Sequence, residues 1–290
     1  MSAATAPPAH VSRTGKGTNF GRAIHSEWIK LRTVPSTVIL LSITLVVMVG
    51  LAVLSGWGLA VSAGFQGGMP PEQQAQMAES GVQGLQGAAY TVPAGGIIFG
   101  QLLIASLAVV LIASEWGTGM IRSTMVAVPK RIPALLAKNL VIAAVSFVIG
   151  VIAALISYYV AQPFLAGEDL DFAITHDGIL ASIVNTGTYL ALIAIISMAI
   201  GTLLRNTAGG IVTAVGLFFV LPVIVVNILA GLADWIPEAA RFLPTNAGQQ
   251  LVAIEIADDA LNQWQGGLVM AAWAVGLLVI SLIVAKRRDV

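Results

Sequence analysis

The stretch SEWGTGMIRSTMVAVPKRIPALLAKN, residues 114–139, is a polar island between two long apolar segments. Its glycines, prolines and charged residues interrupt what would otherwise be continuous hydrophobic sequence. They are Glu115, Gly117, Gly119, Arg122, Pro129, Lys130, Arg131, Pro133 and Lys138. Because Lys and Arg concentrate in the cytoplasmic loops of membrane proteins, the polar island is predicted to be a cytoplasmic loop.

A short amphipathic helix is predicted inside the polar island, over residues 117–128. Ile121, Met125 and Val128 recur at i, i+4 and i+7, which places them on one face of a helix about three turns long. Such a helix can dock on a soluble partner or lie on the lipid surface, and the spacing does not choose between the two.

The composition indicates an integral membrane protein. Of the 290 residues, 57% are apolar and only 10% are charged, against roughly 25% charged in soluble domains. With no cysteine and three scattered histidines, no metal site is expected. The substring TGKG is not a phosphate-binding loop, because Gly17 stands where Ser or Thr is required and His10 where the first glycine is required.

Six apolar segments are each close to the ~20 residues that cross a bilayer core. They are residues 36–56, 94–113, 139–160, 183–204, 209–229 and 266–285, and none contains Asp, Glu, Lys or Arg. We therefore predict an all-α polytopic fold with one six-helix transmembrane domain over residues 34–290. No catalytic residue is expected.

The charges predict the orientation of these segments. Arg241 is the one base among 14 that falls on the side away from both termini, whereas most acids fall there. By the positive-inside rule, both termini are cytoplasmic and the protein is a multi-pass protein of the plasma (cytoplasmic) membrane.

The chain is expected to begin with a disordered cytoplasmic tail, residues 1–19, followed by an amphipathic helix over residues 20–33. Apolar and charged residues alternate with helical period there, as in helices that lie in the headgroup plane. The residues assigned to this interfacial helix are Phe20, Ile24, Glu27, Trp28, Lys30 and Arg32. The alternative is a cytosolic extension of the first span, and Glu27 with Lys30 is interpreted as a local surface pair.

The loops carry further expectations. Residues 57–91 are rich in Gly and Gln and are predicted to be a mobile loop with a weak helix near 70–80. Pro163 is expected to end the third span, and Arg205 with Asn206 to join the fourth and fifth spans in a tight hairpin. Residues 230–265 are expected to form short amphipathic extracellular helices at or dipping into the outer leaflet.

Together these features resemble the ABC-2 type permeases, the membrane halves of ATP-binding-cassette exporters. The matching residues lie in the N-terminal helix and around the polar island. They are Glu27, Trp28, Lys30, Leu31, Arg32, Glu115, Trp116, Gly117, Thr118, Arg122, Pro129, Arg131 and Lys138. The pattern departs at Met120 and Ile121, which lengthen the spacing from Thr118 to Arg122.

The resemblance implies a permease subunit whose polar island carries a coupling helix that docks on a separate nucleotide-binding subunit. The ATPase-coupling residues would be Glu115, Gly117, Thr118, Ile121, Arg122, Met125, Val128, Pro129 and Arg131. ATP and Mg would bind to that partner subunit and not to this chain. The resemblance also implies a dimer with a second permease copy or paralogue. The cargo is expected to be hydrophobic or amphipathic and to be exported, and nucleic acid is not an expected partner.

The alternative function is an ion-gradient-driven secondary carrier, which would ordinarily place ionisable groups within its spans. The conspicuous polar groups there are Gln101, Asn185 and Asn227, which are interpreted as interhelical hydrogen-bonding groups. Glu115 is either paired with Arg122 or solvated at the bilayer boundary. Two pairs of small residues suit close helix contacts, within this chain or between copies; they are Gly96 with Gly100, and Ser197 with Gly201.

Overall fold

The computed structural model describes residues 19–70, 72–73, 84–120, 131–233, 235–257 and 260–287. Throughout these residues the regular structure is helical and contains no strand. Six of the described helices are long and apolar enough to cross a membrane. Because a bilayer requires about 20 apolar residues per crossing, this is the architecture of a multi-pass membrane protein.

The helices are numbered here in chain order. Those of the first half are α1 (Phe20–Thr33), α2 (Pro35–Gly67), α3 (Leu85–Thr91), α4 (Ile97–Gly117) and α5 (Arg131–Ala166). Those of the second half are α6 (Ile179–Leu204), α7 (Thr207–Leu229), α8 (Trp235–Ala240), α9 (Pro244–Val252) and α10 (Gln263–Arg287). Helix α3 continues through a short 3₁₀ turn, Val92–Ala94, towards α4.

Helix α1 occupies the range in which the sequence predicts an amphipathic helix. The Asn19 side chain accepts a hydrogen bond from the backbone N–H of Arg22 at 2.9 Å and so caps its first turn. Val34 is extended, and Pro35 then opens α2 at a position where a missing N–H costs nothing. Helix α1 is therefore separate from the first span and is not an extension of it.

Three predicted boundaries are wrong. Helix α2 continues to Gly67, so residues 57–67 are helical and not part of a mobile loop, while most of the weak helix predicted near 70–80 lies outside the described residues. Helix α5 passes through Pro163 and ends at Ala166, and Leu165 beyond the proline is fully buried, so packing offsets the backbone hydrogen bond that Pro163 cannot donate. Helices α4 and α5 also extend past the predicted spans 94–113 and 139–160, so that α4 contains Glu115 and α5 contains Lys138.

The overhanging part of α2 has a packing role. At 1.5 Å per residue, its 33 residues reach about 50 Å, which exceeds the ~30 Å hydrocarbon core. Its last turns join the ends of α3, α5 and α6 in a second apolar cluster that includes Ala63, Ala89 and Phe172. The hydroxyl of Tyr158 donates to the Phe172 carbonyl at 2.6 Å and ties this cluster to α5.

The hairpin between α6 and α7 is confirmed. Helix α6 ends at Leu204, and Arg205 takes a left-handed conformation with φ of 52°. Asn206 then caps α7 by accepting a hydrogen bond from the Gly209 N–H at 2.7 Å. Two residues therefore reverse the chain.

Helix α7 is irregular and contains two π-helical segments, residues 216–220 and 225–229. It is the least buried of the six long helices, whereas α6 is the most buried. Helix α6 packs against α4, α5, α9 and α10 and is the centre of the bundle.

The short helices predicted within residues 230–265 are present as α8 and α9. Helix α9 packs between α6 and α10, with Ala247 fully buried. The Ser182 hydroxyl donates to the Val252 carbonyl at 2.6 Å, and the Asn185 amide donates to the Leu251 carbonyl at 2.8 Å. These bonds satisfy carbonyls at the end of α9 that have no partner inside the helix.

Both pairs of small residues pack within the chain. A Cβ atom at Gly96 would lie 2.3 Å from the Met48 carbonyl oxygen of α2, and one at Gly100 would lie 2.5 Å from the Met48 sulfur. A Cβ at Gly201 would lie 2.6 Å from Ile112 of α4, and Ser197 is fully buried. Intrachain packing is thus the role these positions have in the fold.

Substitution Gly96→Ala is expected to destabilise the protein by about 1–3 kcal/mol, because the new methyl group overlaps the backbone of Met48 and not a movable side chain. Thermal unfolding of the detergent-solubilised protein measures the effect. The matched control is Gly50→Ala on α2, where nothing lies within 4 Å of the new atom. Equal melting temperatures for the two variants would show that α2 and α4 do not approach this closely.

Candidate functional site: a buried ion cluster at the α1 end of the bundle

Four charged side chains from three helices meet where α1 crosses the last turn of α4 and the start of α5. We call this place the α1 end of the bundle, and the place where α8 and α9 lie the far end. Glu27 and Lys30 are three residues apart on α1 and therefore share a face. Glu115 lies on α4, just before the turn at Thr118 that ends the helix, and Lys138 lies in the third turn of α5.

These four residues form the ion cluster. The Lys138 ammonium lies 2.5 Å from Glu27 Oε2 and 2.8 Å from Glu115 Oε1. The Lys30 ammonium lies 2.8 Å from Glu27 Oε1 and 3.1 Å from Glu115 Oε1. Each ammonium thus bridges both carboxylates, and each carboxylate receives both ammoniums.

The ion cluster is electrically balanced and largely removed from solvent. Glu27 is 7% exposed, Glu115 is 3% exposed and Lys138 is 7% exposed. Such burial is tolerated when opposite charges are paired at hydrogen-bonding distance, since an unpaired ion would carry a desolvation cost of several kcal/mol. The two bases and two acids cancel, so the ion cluster itself has no net charge.

The titration of α1 follows from this geometry. Burial by itself would raise the pKa of Glu27, but the ammonium groups of Lys138 and Lys30 outweigh burial and hold that pKa below its ordinary value. Burial by itself would lower the pKa of Lys30, but Glu27 and Glu115 outweigh it and raise that pKa. Both groups are therefore stabilised in their charged forms.

Two interpretations of these residues need correction. Glu27 and Lys30 do form a pair, but it is not a surface pair, because Glu27 is buried and also binds Lys138. Glu115 is not solvated, because it is buried between Lys30 and Lys138. Sequence spacing detects a partner three residues away, whereas Glu27 and Lys138 are 111 residues apart and meet only through the packing of α1 on α5.

Arg205 is a further residue at the α1 end that the sequence does not single out as part of a site. Its guanidinium carbon lies 3.8 Å from the centroid of the Trp116 ring, next in sequence to Glu115. A cation over an aromatic face at this distance is attracted by the ring quadrupole. The hairpin after α6 is thereby attached to the end of α4.

A second buried polar network lies towards the far end, around the first π-helical segment of α7. The Phe218 carbonyl accepts hydrogen bonds from the Thr245 hydroxyl at 2.7 Å and from the Gln101 amide at 3.5 Å, and the Tyr189 hydroxyl donates to Gln101 Oε1. Gln101 and Asn185 thus make the expected interhelical hydrogen bonds. Asn227 does not, since its amide donates to the Val223 carbonyl one turn earlier in the same helix.

The residues predicted for the interfacial helix divide between two faces of α1. Glu27 and Lys30 belong to the ion cluster, and Ile24 packs against the apolar core. Phe20 and Trp28 are exposed, at 44% and 42%, and the Arg32 guanidinium lies 5.9 Å from the Trp28 ring. The assignment of the outer face to lipid stays a prediction.

The predicted coupling residues are described only in part. Glu115, Gly117 and Thr118 end α4, and the Thr118 hydroxyl donates to the Ser114 carbonyl at 2.8 Å. Helix α5 begins at Arg131, whose side chain is not described. The remaining coupling residues lie outside the described residues; they are Ile121, Arg122, Met125, Val128 and Pro129.

Among the residues that the structure describes, no group of three His, Asp or Glu side chains is placed to hold a metal ion. Compared with protein-family models and with curated proteins, the chain matches none. The proposals below therefore rest on its own residues.

The ion cluster should behave as one energetic unit. Lys138→Met leaves two buried carboxylates with a single ammonium, and we expect it to destabilise the protein by about 3–5 kcal/mol. Adding Glu115→Gln restores a neutral Glu27–Lys30 pair. The double variant should therefore lose less free energy of unfolding than the two single substitutions lose in sum. The measurement is a double-mutant cycle of thermal unfolding in detergent, and strictly additive effects would show that the four groups do not interact.

Stability should also depend on pH through α1. Because the pKa of Glu27 is lowered in the folded protein, its contribution is complete above the ordinary value of 4.5 and is lost as the pH falls through the lower folded value. The raised pKa of Lys30 makes its contribution complete below 10.5 and lost as the pH rises through the higher folded value. The melting temperature of the native protein should therefore fall more steeply below pH 4.5 than that of Glu27→Gln. Parallel acid profiles of the two proteins would contradict this account.

Proposed function

We propose that this chain is the membrane subunit of an ATP-binding-cassette exporter of the ABC-2 type. The proposal is supported by six long apolar helices, a separate amphipathic helix before them, and a polar segment between α4 and α5. Both termini would be cytoplasmic, as the distribution of Lys and Arg predicts.

The observation that carries the proposal is the double contact of Lys138 with Glu27 and Glu115. It joins α1 to the end of α4 and the start of α5, the two helices that flank residues 121–130. A partner that pushes on that segment acts on three helices that are held together. Force would pass into the bundle through this junction instead of being absorbed by one helix end.

The energy for transport would come from ATP hydrolysis by a separate subunit, since this chain has no phosphate-binding loop. ATP and Mg would bind to a nucleotide-binding partner subunit, and closure of two such subunits on ATP would push against residues 117–128 of each membrane half. Six spans are half of the membrane complement of such exporters, so a second copy or a paralogue would complete the pathway.

The cargo would be hydrophobic or amphipathic, and it would move outwards. The long helices expose apolar side chains over much of their length, with Val46 70% exposed on α2 and Val212 71% exposed on α7. Cargo-stimulated ATPase activity of the reconstituted complex would identify the class, and stimulation by polar solutes alone would exclude a hydrophobic cargo.

An ion-gradient-driven carrier is the second candidate, and one observation favours it. Glu27 and Glu115 are buried carboxylates, and carriers use such groups to bind protons or cations. In this chain, however, both carboxylates are paired with ammonium groups, which competes with ion binding. Transport that survives removal of ATP and stops when the ion gradient is collapsed would establish the carrier instead.

Met125→Asp should prevent assembly with the ATPase subunit while leaving membrane insertion intact. A carboxylate on the docking face of residues 117–128 would be buried against the partner without a counter-charge. Co-purification of the ATPase subunit in mild detergent, followed by mass spectrometry, measures the loss.

The matched control is Met77→Asp, the same substitution in the loop predicted on the other side of the membrane. It should co-purify the ATPase subunit at the native level. Normal recovery with Met125→Asp would exclude docking at this face, and loss with Met77→Asp alone would reverse the orientation.

A further inference from the structure

We propose that α7 is a proline hinge: the segment beyond Pro222 swings relative to the rest of the helix, and the Thr245 hydroxyl of α9 holds it in place. We call residues 223–229 the distal segment. It forms one wall of a cavity at the far end of the bundle, so its movement opens and closes that cavity. The proposal does not depend on the proposed function, because it follows from the packing and hydrogen bonding of α7 whatever the chain transports.

The packing of α7 within the chain changes at Pro222. Before the proline the helix is fixed to the bundle: a Cβ atom at Gly210 would lie 2.5 Å from the Val109 side chain of α4, and Phe218 is fully buried. In the distal segment no residue is buried, and Ile228 is 66% exposed. A segment with few buried apolar contacts costs little to displace.

Pro222 also removes a hydrogen-bond donor from the helix. In a regular α-helix the Phe218 carbonyl accepts a hydrogen bond from the N–H group four residues later, and Pro222 at that position has none. Side chains of other helices donate to this carbonyl: the Thr245 hydroxyl at 2.7 Å and the Gln101 amide at 3.5 Å. Because Phe218 and Gln101 are fully buried, solvent does not readily replace these donors. The arrangement of α7 at Pro222 therefore depends on side chains outside α7.

Thr245 is the stronger of the two donors and is itself fixed. Its 2.7 Å bond has the usual length for a hydroxyl donor, whereas the 3.5 Å amide contact is long. Thr245 lies in the first turn of α9, and α9 is bonded to α6 through Ser182 and Asn185. Gly248 of α9 lies against the Tyr189 ring of α6, where any side chain would overlap the ring. Helix α9 is therefore anchored, and the distal segment is the part that moves.

The cavity that this movement changes has a volume of about 400 Å³. Val226 and Ala230 line it at the end of α7, and Asn246 and Gln250 line it on α9. One wall therefore moves with the distal segment, while another belongs to the anchored helix. A swing about Pro222 changes the width of the cavity without disturbing the packing of α4 on α6.

Distances between pairs of spin labels test the proposal. The chain has no cysteine, so two introduced cysteines are its only labelling sites. The distal pair is Ile228→Cys with Leu268→Cys, and the control pair is Val212→Cys with Ile283→Cys. Both pairs join α7 to α10, and all four positions are exposed. Double electron–electron resonance is recorded on the full-length protein in lipid nanodiscs, after co-expression with an excess of the cysteine-free native chain so that distances within one chain dominate.

Thr245→Val removes the hydroxyl at nearly constant volume. It should add a second distance population in the distal pair and leave the control pair unchanged. Thr245→Ser keeps the hydroxyl and should retain the native distribution. An unchanged distal pair in Thr245→Val, an equal change in both pairs, or the same distal distribution in the Val and Ser variants would overturn the proposal.

Pro222→Ala decides the matter if thermal unfolding shows that Thr245→Val does not fold. Alanine restores an N–H group four residues after Phe218, so the helix can satisfy that carbonyl by itself. The distance distribution of the distal pair should then become narrower than in the native protein. A distribution as broad as the native one, or broader, would show that Pro222 is not a hinge.

Discussion

The α1 end of the bundle depends on the two ion pairs that the Lys138 ammonium forms with the carboxylates of Glu27 and Glu115. Without Lys138, two acids from different helices would face each other in a poorly solvated space with Lys30 as their one remaining partner in the ion cluster. With Lys138, a helix outside the six spans is fixed to the ends of two of them. Because Glu27, Glu115 and Lys138 are buried, removal of one member leaves a charge without its partner in a poorly solvated space, which is costly.

The two polar networks are arranged differently, and the difference matters for motion. The ion cluster ties charged groups on α1, α4 and α5, whereas the network around Phe218 joins α4, α6, α7 and α9 with neutral hydrogen bonds. Neutral hydrogen bonds are worth about half as much as those of charged groups. The α1 end is therefore expected to move as a unit, and rearrangement between helices is less costly towards the far end.

Much of the helix pattern could be predicted from the sequence because apolar length and capping residues act locally. The six spans, the separate α1 and the hairpin at Arg205 belong to this class. The extension of α2 to Gly67 and the passage of α5 through Pro163 could not, because packing between distant segments overrides the local Gly and Pro signals. The ion cluster could not be predicted from the sequence for the same reason. The sequence shows Lys138 as a base near a span, but it does not show that Lys138 contacts a residue of α1. The coupling role and the orientation stay predictions.

The π-helical segments give α7 a property that the other long helices do not share. A π-helical turn replaces the usual i→i+4 hydrogen bond with a longer one, and such turns are points at which a helix axis can bend. Helix α7 carries two of them around Pro222, it is little buried, and the Phe218 carbonyl in the first is held from outside by Thr245. A change of axis in α7 at this point would therefore act on α9 through the Thr245 hydrogen bond, and loss of that bond would uncouple the two helices.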